Sequence, residues 1–147
     1  MNSEEIVKSV LNDVKKFNVE DIPNIDLYMD QVTTYLNNKF SASKRYEDDK
    51  LLTKTMINNY AKSRLLPPPE KKKYSKDHII TLTLIFFFKI VVSINDVTTL
   101  LTPLLEEHFH NDELSLEDII NYFLDYEHNN DLSSPIINQL NESLKFF

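Results

Sequence analysis

Four side chains in residues 53–62 combine the types and the spacing that a DNA-reading helix needs. Thr55, Asn58, Asn59 and Lys62 follow an i, i+3, i+4, i+7 pattern, which places them on one face of a helix. Asn can form two hydrogen bonds with adenine in the major groove, Lys can reach guanine or phosphate, and Thr can contact thymine. A solvated helix face is the alternative, but such a face would hold acidic residues as readily as lysine. Since residues 53–69 contain no acid, the pattern favours a base-reading face.

Further candidate residues lie on both sides of this predicted recognition helix, residues 54–63. Thr53 is predicted to cap the helix, and Thr53 and Lys54 stand at its positive end, where a phosphate can bind. Three consecutive prolines then form a stiff spacer before a predicted basic wing, residues 70–74. Such a wing would lie on the phosphate backbone, which adds salt-dependent affinity without sequence information. The predicted DNA-binding residues are Thr53, Lys54, Thr55, Asn58, Asn59, Lys62, Arg64, Lys71, Lys72, Lys73 and Tyr74.

The distribution of charge agrees with a basic binding surface. The 147 residues carry a net charge of −7, but residues 39–78 hold 11 of the 16 basic side chains against 5 acidic ones. Such asymmetry is typical of a basic interaction surface on an otherwise acidic protein. Solvated charges that compensate one another are the alternative explanation.

Composition excludes several other classes of protein. Without cysteine there are no disulfides, thiolate metal sites or cysteine nucleophiles, and without glycine there is no glycine-rich phosphate loop. Residues 79–92, the longest apolar stretch, are too few to span a bilayer, and no signal-peptide pattern is present. We therefore expect a cytoplasmic protein without a membrane partner.

Hydrophobic periodicity predicts a series of helices. The first is predicted to be capped by Ser3, and the second to begin near Pro23 with Ile25 and Tyr28 on its inner face. Residues 75–92 are apolar on all sides and could form a strand, but their length favours a buried helix.

Helix start signals recur in the second half of the chain. Capping patterns at Ser93 and Ser115 each precede an amphipathic helix. Pro103 is predicted to kink the first of these helices, or to restart it with Thr102 as a new cap. A last helix is expected to begin near Pro135.

The predicted fold class is all-α, with a winged helix-turn-helix core, an N-terminal helix and C-terminal accessory helices. The predicted divisions are an accessory helix in residues 1–20, the winged helix-turn-helix in residues 21–108, and an acidic helical segment in residues 109–147. That last segment is expected either to pack on the same core or to dimerise.

Residues 53–69 and 71–79 resemble the winged-helix head of MerR-type transcription regulators, where a Ser/Thr-capped recognition helix ends in Leu-Leu-Pro and a basic wing ends in Tyr-Ser. The resemblance covers about residues 50–105. The chain as a whole resembles a family of small bacterial proteins known only as a domain of unknown function, which share Ile-Asp-Leu-Tyr-Met-Asp-Gln-Val, here residues 25–32. The resemblance to MerR-type heads implies a DNA-reading role for Asn58, Asn59 and Lys62. MerR-type heads usually have glycine at the position of Arg64 and in the wing, and they are followed by a long dimerising coiled coil. This sequence shows none of these features, so the resemblance does not extend to the effector mechanism.

These observations predict a sequence-specific double-stranded DNA-binding protein, a bacterial transcriptional regulator. A short recognition helix gives limited affinity, so we expect a homodimer on two half-sites about one DNA turn apart. The acidic C-terminal helices are candidates for the dimer contact or for a protein partner. The alternative is a non-enzymatic adaptor that keeps the winged-helix shape and docks an acidic protein on its basic face. A small-molecule sensor remains a third possibility.

Other candidate clusters do not support catalysis or metal binding. His108 and His110 lie among acidic residues, but their i, i+2 spacing does not place both rings on one helical face. Paired carboxylates are common, yet nothing in the sequence places two of them across a cleft. We therefore expect no enzymatic activity, no metal and no cofactor.

Overall fold

The computed structural model describes residues 2–40 and 51–129. The helices are α1 (Ser3–Lys16), α2 (Met29–Lys39), α3 (Lys54–Lys62), α4 (Lys76–Val91), α5 (Ile94–His108) and α6 (Leu116–Asn129), and the strands are β1 (Leu27–Tyr28) and β2 (Lys73–Tyr74). A short 3₁₀ turn, Val19–Asp21, follows α1. The predicted helical character is confirmed, and a two-stranded sheet is added to it. The winged helix-turn-helix arrangement stays a prediction.

Internal contacts divide the chain into two compact units. One comprises Asp21–Thr83, and the other comprises Met1–Glu20 together with Leu84–Phe147. The first holds 11 basic and 8 acidic residues and is called the basic unit below. The second holds 5 basic and 15 acidic residues and is called the acidic unit. The predicted divisions at residues 20 and 108 stay a prediction.

In the basic unit, α2 packs against a small sheet and against α3. β1 pairs antiparallel with β2, with Leu27 opposite Tyr74 and Tyr28 opposite Lys73. Leu27 and Tyr74 are buried, whereas Tyr28 and Lys73 on the other face are exposed, as the alternation of a strand requires. Both strands and α3 contact α2. The core includes Val32, Leu36, Phe40, Leu52, Ile57, Tyr60, Leu65, Leu66, Ile79, Ile80 and Leu82.

In the acidic unit, α6 packs against both α1 and α5. Leu11 and Val14 of α1 and the apolar residues of α5 recur at helical spacing and are buried, as in amphipathic helices. The ring of Phe17 meets that of Phe87 edge-on, with 5.5 Å between the centroids. The core includes Leu11, Val14, Leu84, Ile85, Phe88, Val97, Leu100, Leu101, Leu104, Leu116, Ile119 and Ile120.

The predictions for the later helices are largely confirmed. The ambiguous apolar stretch is the helix α4, and most of its described side chains are buried. Ser93 accepts the N–H of Asp96 and Ser115 accepts the N–H of Asp118, so both caps form. The predicted helix near Pro135 lies outside the described residues, as does much of segment 109–147.

Two local predictions are wrong. Asn2 rather than Ser3 caps α1, because its side chain accepts the N–H of Glu5 at 2.8 Å. The second helix begins at Met29, and Ile25 and Tyr28 are exposed instead of lining its inner face. The side chain of Gln31 accepts the N–H of Tyr28 at 2.9 Å, which starts the helix there.

Of the two alternatives predicted for Pro103, a restart of the helix is wrong, and a kink stays a prediction. Helix α5 does not restart there but runs from Ile94 to His108. Thr102 is not a cap, because its hydroxyl donates back to the carbonyl of Thr98 at 2.6 Å, a bond typical of a residue within a helix.

Candidate nucleic-acid interface

Helix α3 has the two faces that its sequence predicts. The hydroxyl of Thr53 accepts the N–H of Met56 at 3.1 Å, so the predicted cap is present. Ile57 is fully buried and Tyr60 is buried, which fixes the inner face in the core of the basic unit. The opposite face is in solvent and consists of Thr55, Asn58, Asn59 and Lys62.

A partly buried amide on α2 sets where α3 begins. The side chain of Asn37 donates to the carbonyl of Leu52 at 2.7 Å and accepts the N–H groups of Leu51 and Leu52 at 3.1 and 3.0 Å. These three bonds hold the segment that enters α3 against α2. Sequence reasoning missed Asn37, because a lone asparagine in a helix gives no local sign of a partner 15 residues away.

The end of α3 brings Arg64 to the surface in a left-handed conformation. Its φ is 65°, and its N–H donates to the carbonyl of Ala61 at 3.1 Å. Glycine is the usual residue at such a helix end, because a side chain makes the left-handed region costly. Leu65 and Leu66 follow and are buried, so they anchor the chain directly after the exposed Arg64.

The predicted wing is a tight hairpin with two lysines at its tip. Glu70 and Lys73 exchange both backbone hydrogen bonds, at 3.1 and 2.9 Å, which leaves two residues in the turn. Lys71 and Lys72 have φ values of 51° and 66°. Two-residue turns with positive φ at both positions strongly prefer Asn-Gly, so lysine at both positions is unusual. Both side chains are exposed.

The next two predicted DNA-binding residues lie on strand β2, and their side chains point to opposite faces of the sheet. Lys73 is exposed, and its ammonium lies 5.4 Å from the centroid of the exposed Tyr28 ring. Tyr74 is only 3% exposed, meets the ring of His78 edge-on, and has its pKa raised by burial. The prediction that Tyr74 contacts DNA is therefore wrong for its side chain, which belongs to the core. Tyr28, which sequence reasoning assigned to a buried helix face, is exposed beside Lys73.

Two side chains predicted to bind phosphate at the start of α3 already have partners within the protein. The hydroxyl of Thr53 is used by the helix cap. Lys54 forms an ion pair with Asp30 in the first turn of α2. Both side chains of this pair are largely exposed, so solvent screening keeps the pair weak and Lys54 can exchange Asp30 for another anion.

His108, which the sequence placed near several acidic residues, forms a structural contact. The buried His108 has its Nδ1 3.2 Å from the carbonyl oxygen of Leu114, where it secures the turn after α5. In residues 2–40 and 51–129, no cluster of three or more acidic or histidine side chains has metal-binding geometry. Nor does any helix in these ranges have the length and apolarity needed to cross a membrane.

Fold and surface together define a helical protein whose basic unit carries a polar helix face, an exposed arginine and a lysine-tipped hairpin. A family model described as a domain of unknown function (DUF1836) matches residues 17–139, and the chain belongs to this family. No curated protein and no solved structure matches the chain.

Proposed function

We propose that the basic unit binds double-stranded DNA as a winged helix-turn-helix, with α3 in the major groove and hairpin 70–73 on the phosphate backbone. The observation that carries the proposal is the solvent face of α3, on which Thr55, Asn58, Asn59 and Lys62 stand opposite the buried Ile57. Amide, hydroxyl and ammonium groups can bond base edges, whereas an acid on this face would repel the DNA.

The hairpin supplies the second half of the proposal. Lys71, Lys72 and Lys73 concentrate three positive charges on a turn whose backbone would be more stable with asparagine and glycine. Left-handed residues other than glycine are found where the surrounding structure maintains them, frequently at functional sites. Phosphate contacts by these lysines would provide affinity and register, and α3 would provide sequence preference.

The order of elements agrees with the head that the resemblance implies, since α3 is capped by Thr53, a hairpin follows it, and α4 begins directly after Tyr74 and Ser75. On this arrangement the protein is a bacterial transcriptional regulator. A nine-residue reading helix makes few base contacts, so two copies on half-sites about one DNA turn apart are expected.

The proposal is tested by selecting bound sequences from random duplex DNA and measuring affinity by fluorescence anisotropy. Asn58→Ala/Asn59→Ala is expected to abolish preference for the selected sequence while keeping salt-dependent binding to unrelated duplexes, because base contacts are lost and phosphate contacts remain. Asn12→Ala/Asn95→Ala removes two exposed asparagines from the acidic unit and is expected to change neither.

Two outcomes would contradict the proposal. Selection that enriches no sequence would remove the base-reading role of α3. Failure of the wild-type protein to bind any duplex, with capture of an acidic protein by the same surface, would favour the adaptor alternative.

A further inference from the structure

His78, near the start of α4, hydrogen-bonds backbone groups on both sides of the hairpin. The side chain is only 1% exposed. Its Nδ1 accepts the N–H of Ser75 at 3.0 Å, and the hydroxyl of Ser75 lies 2.8 Å from the same nitrogen. Its Nε2 lies 3.1 Å from the carbonyl oxygen of Pro67 and 3.2 Å from that of Pro68. Since Nδ1 accepts, the ring proton is on Nε2, which donates to these carbonyls.

These contacts join the two ends of the segment that carries the lysines. Pro67 and Pro68 precede the hairpin, and Ser75 follows it after Tyr74. Proline has no N–H, so these two residues can be held by hydrogen bonds only through their carbonyl groups. A buried donor that spans both carbonyls therefore fixes the chain where it leaves α3. The edge-on contact with Tyr74, at 5.4 Å between centroids, adds packing at the other end.

We propose that His78 is a positioning residue that sets the place of the hairpin lysines relative to α3, and this proposal rests on the proposed DNA-binding function. The spacer on one side is stiff because of its prolines, and strand β2 on the other side is paired with β1. A ring that bonds both flanks leaves the hairpin one position, so its lysines and the reading face are presented together. Such preorganisation lowers the entropy that binding must remove.

The alternative is that His78 only stabilises the core, and the acidic unit offers a matched comparison. His108 is also buried and also hydrogen-bonded to a backbone carbonyl, that of Leu114, but it lies outside the basic unit. Replacement of either histidine is expected to lower stability. Only replacement of His78 is expected to change the hairpin.

His78→Asn keeps an acceptor near the N–H of Ser75 but is too short to reach the proline carbonyls, and His108→Asn is its control. Without DNA, amide hydrogen exchange of Glu70 and Lys73, whose N–H groups close the hairpin, is expected to speed up about tenfold or more in His78→Asn and not in His108→Asn. With DNA, the slope of log affinity against log salt is expected to become shallower by about one to two units, since each lost phosphate contact removes about 0.9.

A double-mutant cycle separates positioning from stability. If His78 acts through the lysines, Lys71→Ala/Lys72→Ala should change the salt slope much less in the His78→Asn background than in the wild type. Additive effects, or a His78→Asn variant that exchanges like His108→Asn, would overturn the proposal. His78→Gln, which retains reach toward the proline carbonyls but loses the bond to Ser75, gives the same comparison if His78→Asn does not fold. If the wild type binds no DNA, the proposed function fails, and the exchange measurement still decides whether His78 holds the hairpin.

Discussion

Left-handed backbone positions are occupied differently in the two units. Among residues 2–40 and 51–129, those in the acidic unit are Asn18 and His110, and those in the basic unit are Arg64, Lys71 and Lys72. Asparagine tolerates this conformation best among residues with a side chain. The chain has no glycine, but it has asparagine at the left-handed position where α1 ends. Asparagine could therefore also have occupied the left-handed positions of the basic unit. The basic unit instead places three cations at backbone positions that disfavour them, as expected if their charge serves binding.

The strongest test of this comparison removes the charges and keeps the backbone strain. Lys71→Ala/Lys72→Ala is expected to weaken duplex binding by about tenfold to a hundredfold at low salt, because two phosphate contacts are lost. The slope of log affinity against log salt should become shallower by about two units. Fluorescence anisotropy titrations across a range of salt concentrations measure both quantities.

The matched control is Lys15→Ala/Lys16→Ala, which removes the same charge from exposed positions on α1. This variant is expected to bind duplex DNA almost like the wild type. Equal losses in the two variants would mean that net charge matters and the hairpin does not.

The second test removes the charges together with the strain. Lys71→Asn/Lys72→Gly gives the turn its preferred residues and is expected to raise the free energy of unfolding by about 1–2 kcal/mol. Duplex binding should fall as far as in the double alanine variant, so stability and affinity would move in opposite directions. Urea unfolding measures the first quantity and anisotropy the second.

In the acidic unit, Asn18→Gly is the control for this effect. Because asparagine is already tolerated there, its unfolding free energy should change by less than about 0.5 kcal/mol. A Lys71→Asn/Lys72→Gly variant without added stability would contradict the strain at the hairpin tip. If this variant kept its affinity for duplex DNA, the two lysines would not be at the strained positions for the sake of DNA binding.

Whether a feature could be predicted from the sequence depends on whether its partners are near or distant in the chain. Helix α3 was predicted well, because its cap at Thr53 and the period of Ile57 and Tyr60 depend on residues within two turns. The roles of Asn37 and His78 were not predictable, because each bonds backbone groups that are 10 or more residues away in the chain. Tyr28 was misplaced because its apolar spacing with Ile25 continues the period of α2, while its side chain lies on the exposed face of a strand.

A second difference between the units concerns tyrosine. The hydroxyl of Tyr35 in the basic unit is buried and, within the described part of the chain, has no hydrogen-bond partner. Burial first, and then the carboxylate of Asp21, raises the pKa of Tyr35. Tyr35→Phe is expected to stabilise the protein by up to about 1 kcal/mol at neutral pH, because an unsatisfied buried group is removed.

The pH dependence follows from the raised pKa of Tyr35. Because its pKa is higher in the folded state, the unfolded chain loses this proton first, and stability falls as pH rises above the ordinary tyrosine value of about 10. Tyr35→Phe is expected to reduce this alkaline loss, measured by urea unfolding at several pH values. Tyr122→Phe, at a position 49% exposed in the acidic unit, is expected to leave it unchanged. An equal effect of both variants would contradict the burial of the Tyr35 hydroxyl.

The smallest expected effect concerns two surface ion pairs. Asp30 pairs with Lys54 in the basic unit, and Glu4 pairs with Lys8 at 3.4 Å in the acidic unit. Ion pairs that remain in contact with solvent contribute little to stability, so Asp30→Asn and Glu4→Gln should each change the unfolding free energy by only about 0.5 kcal/mol or less. Their effects on DNA binding should differ. Asp30→Asn frees Lys54 at the start of α3 and removes a negative charge near it. Affinity for duplex DNA should therefore rise about two- to threefold, and the increase should be larger at low salt. Glu4→Gln removes the same charge far along the chain from α3 and should leave affinity unchanged. Equal increases would mean that binding responds to net charge, whereas a rise confined to Asp30→Asn would place the start of α3 at the phosphate backbone.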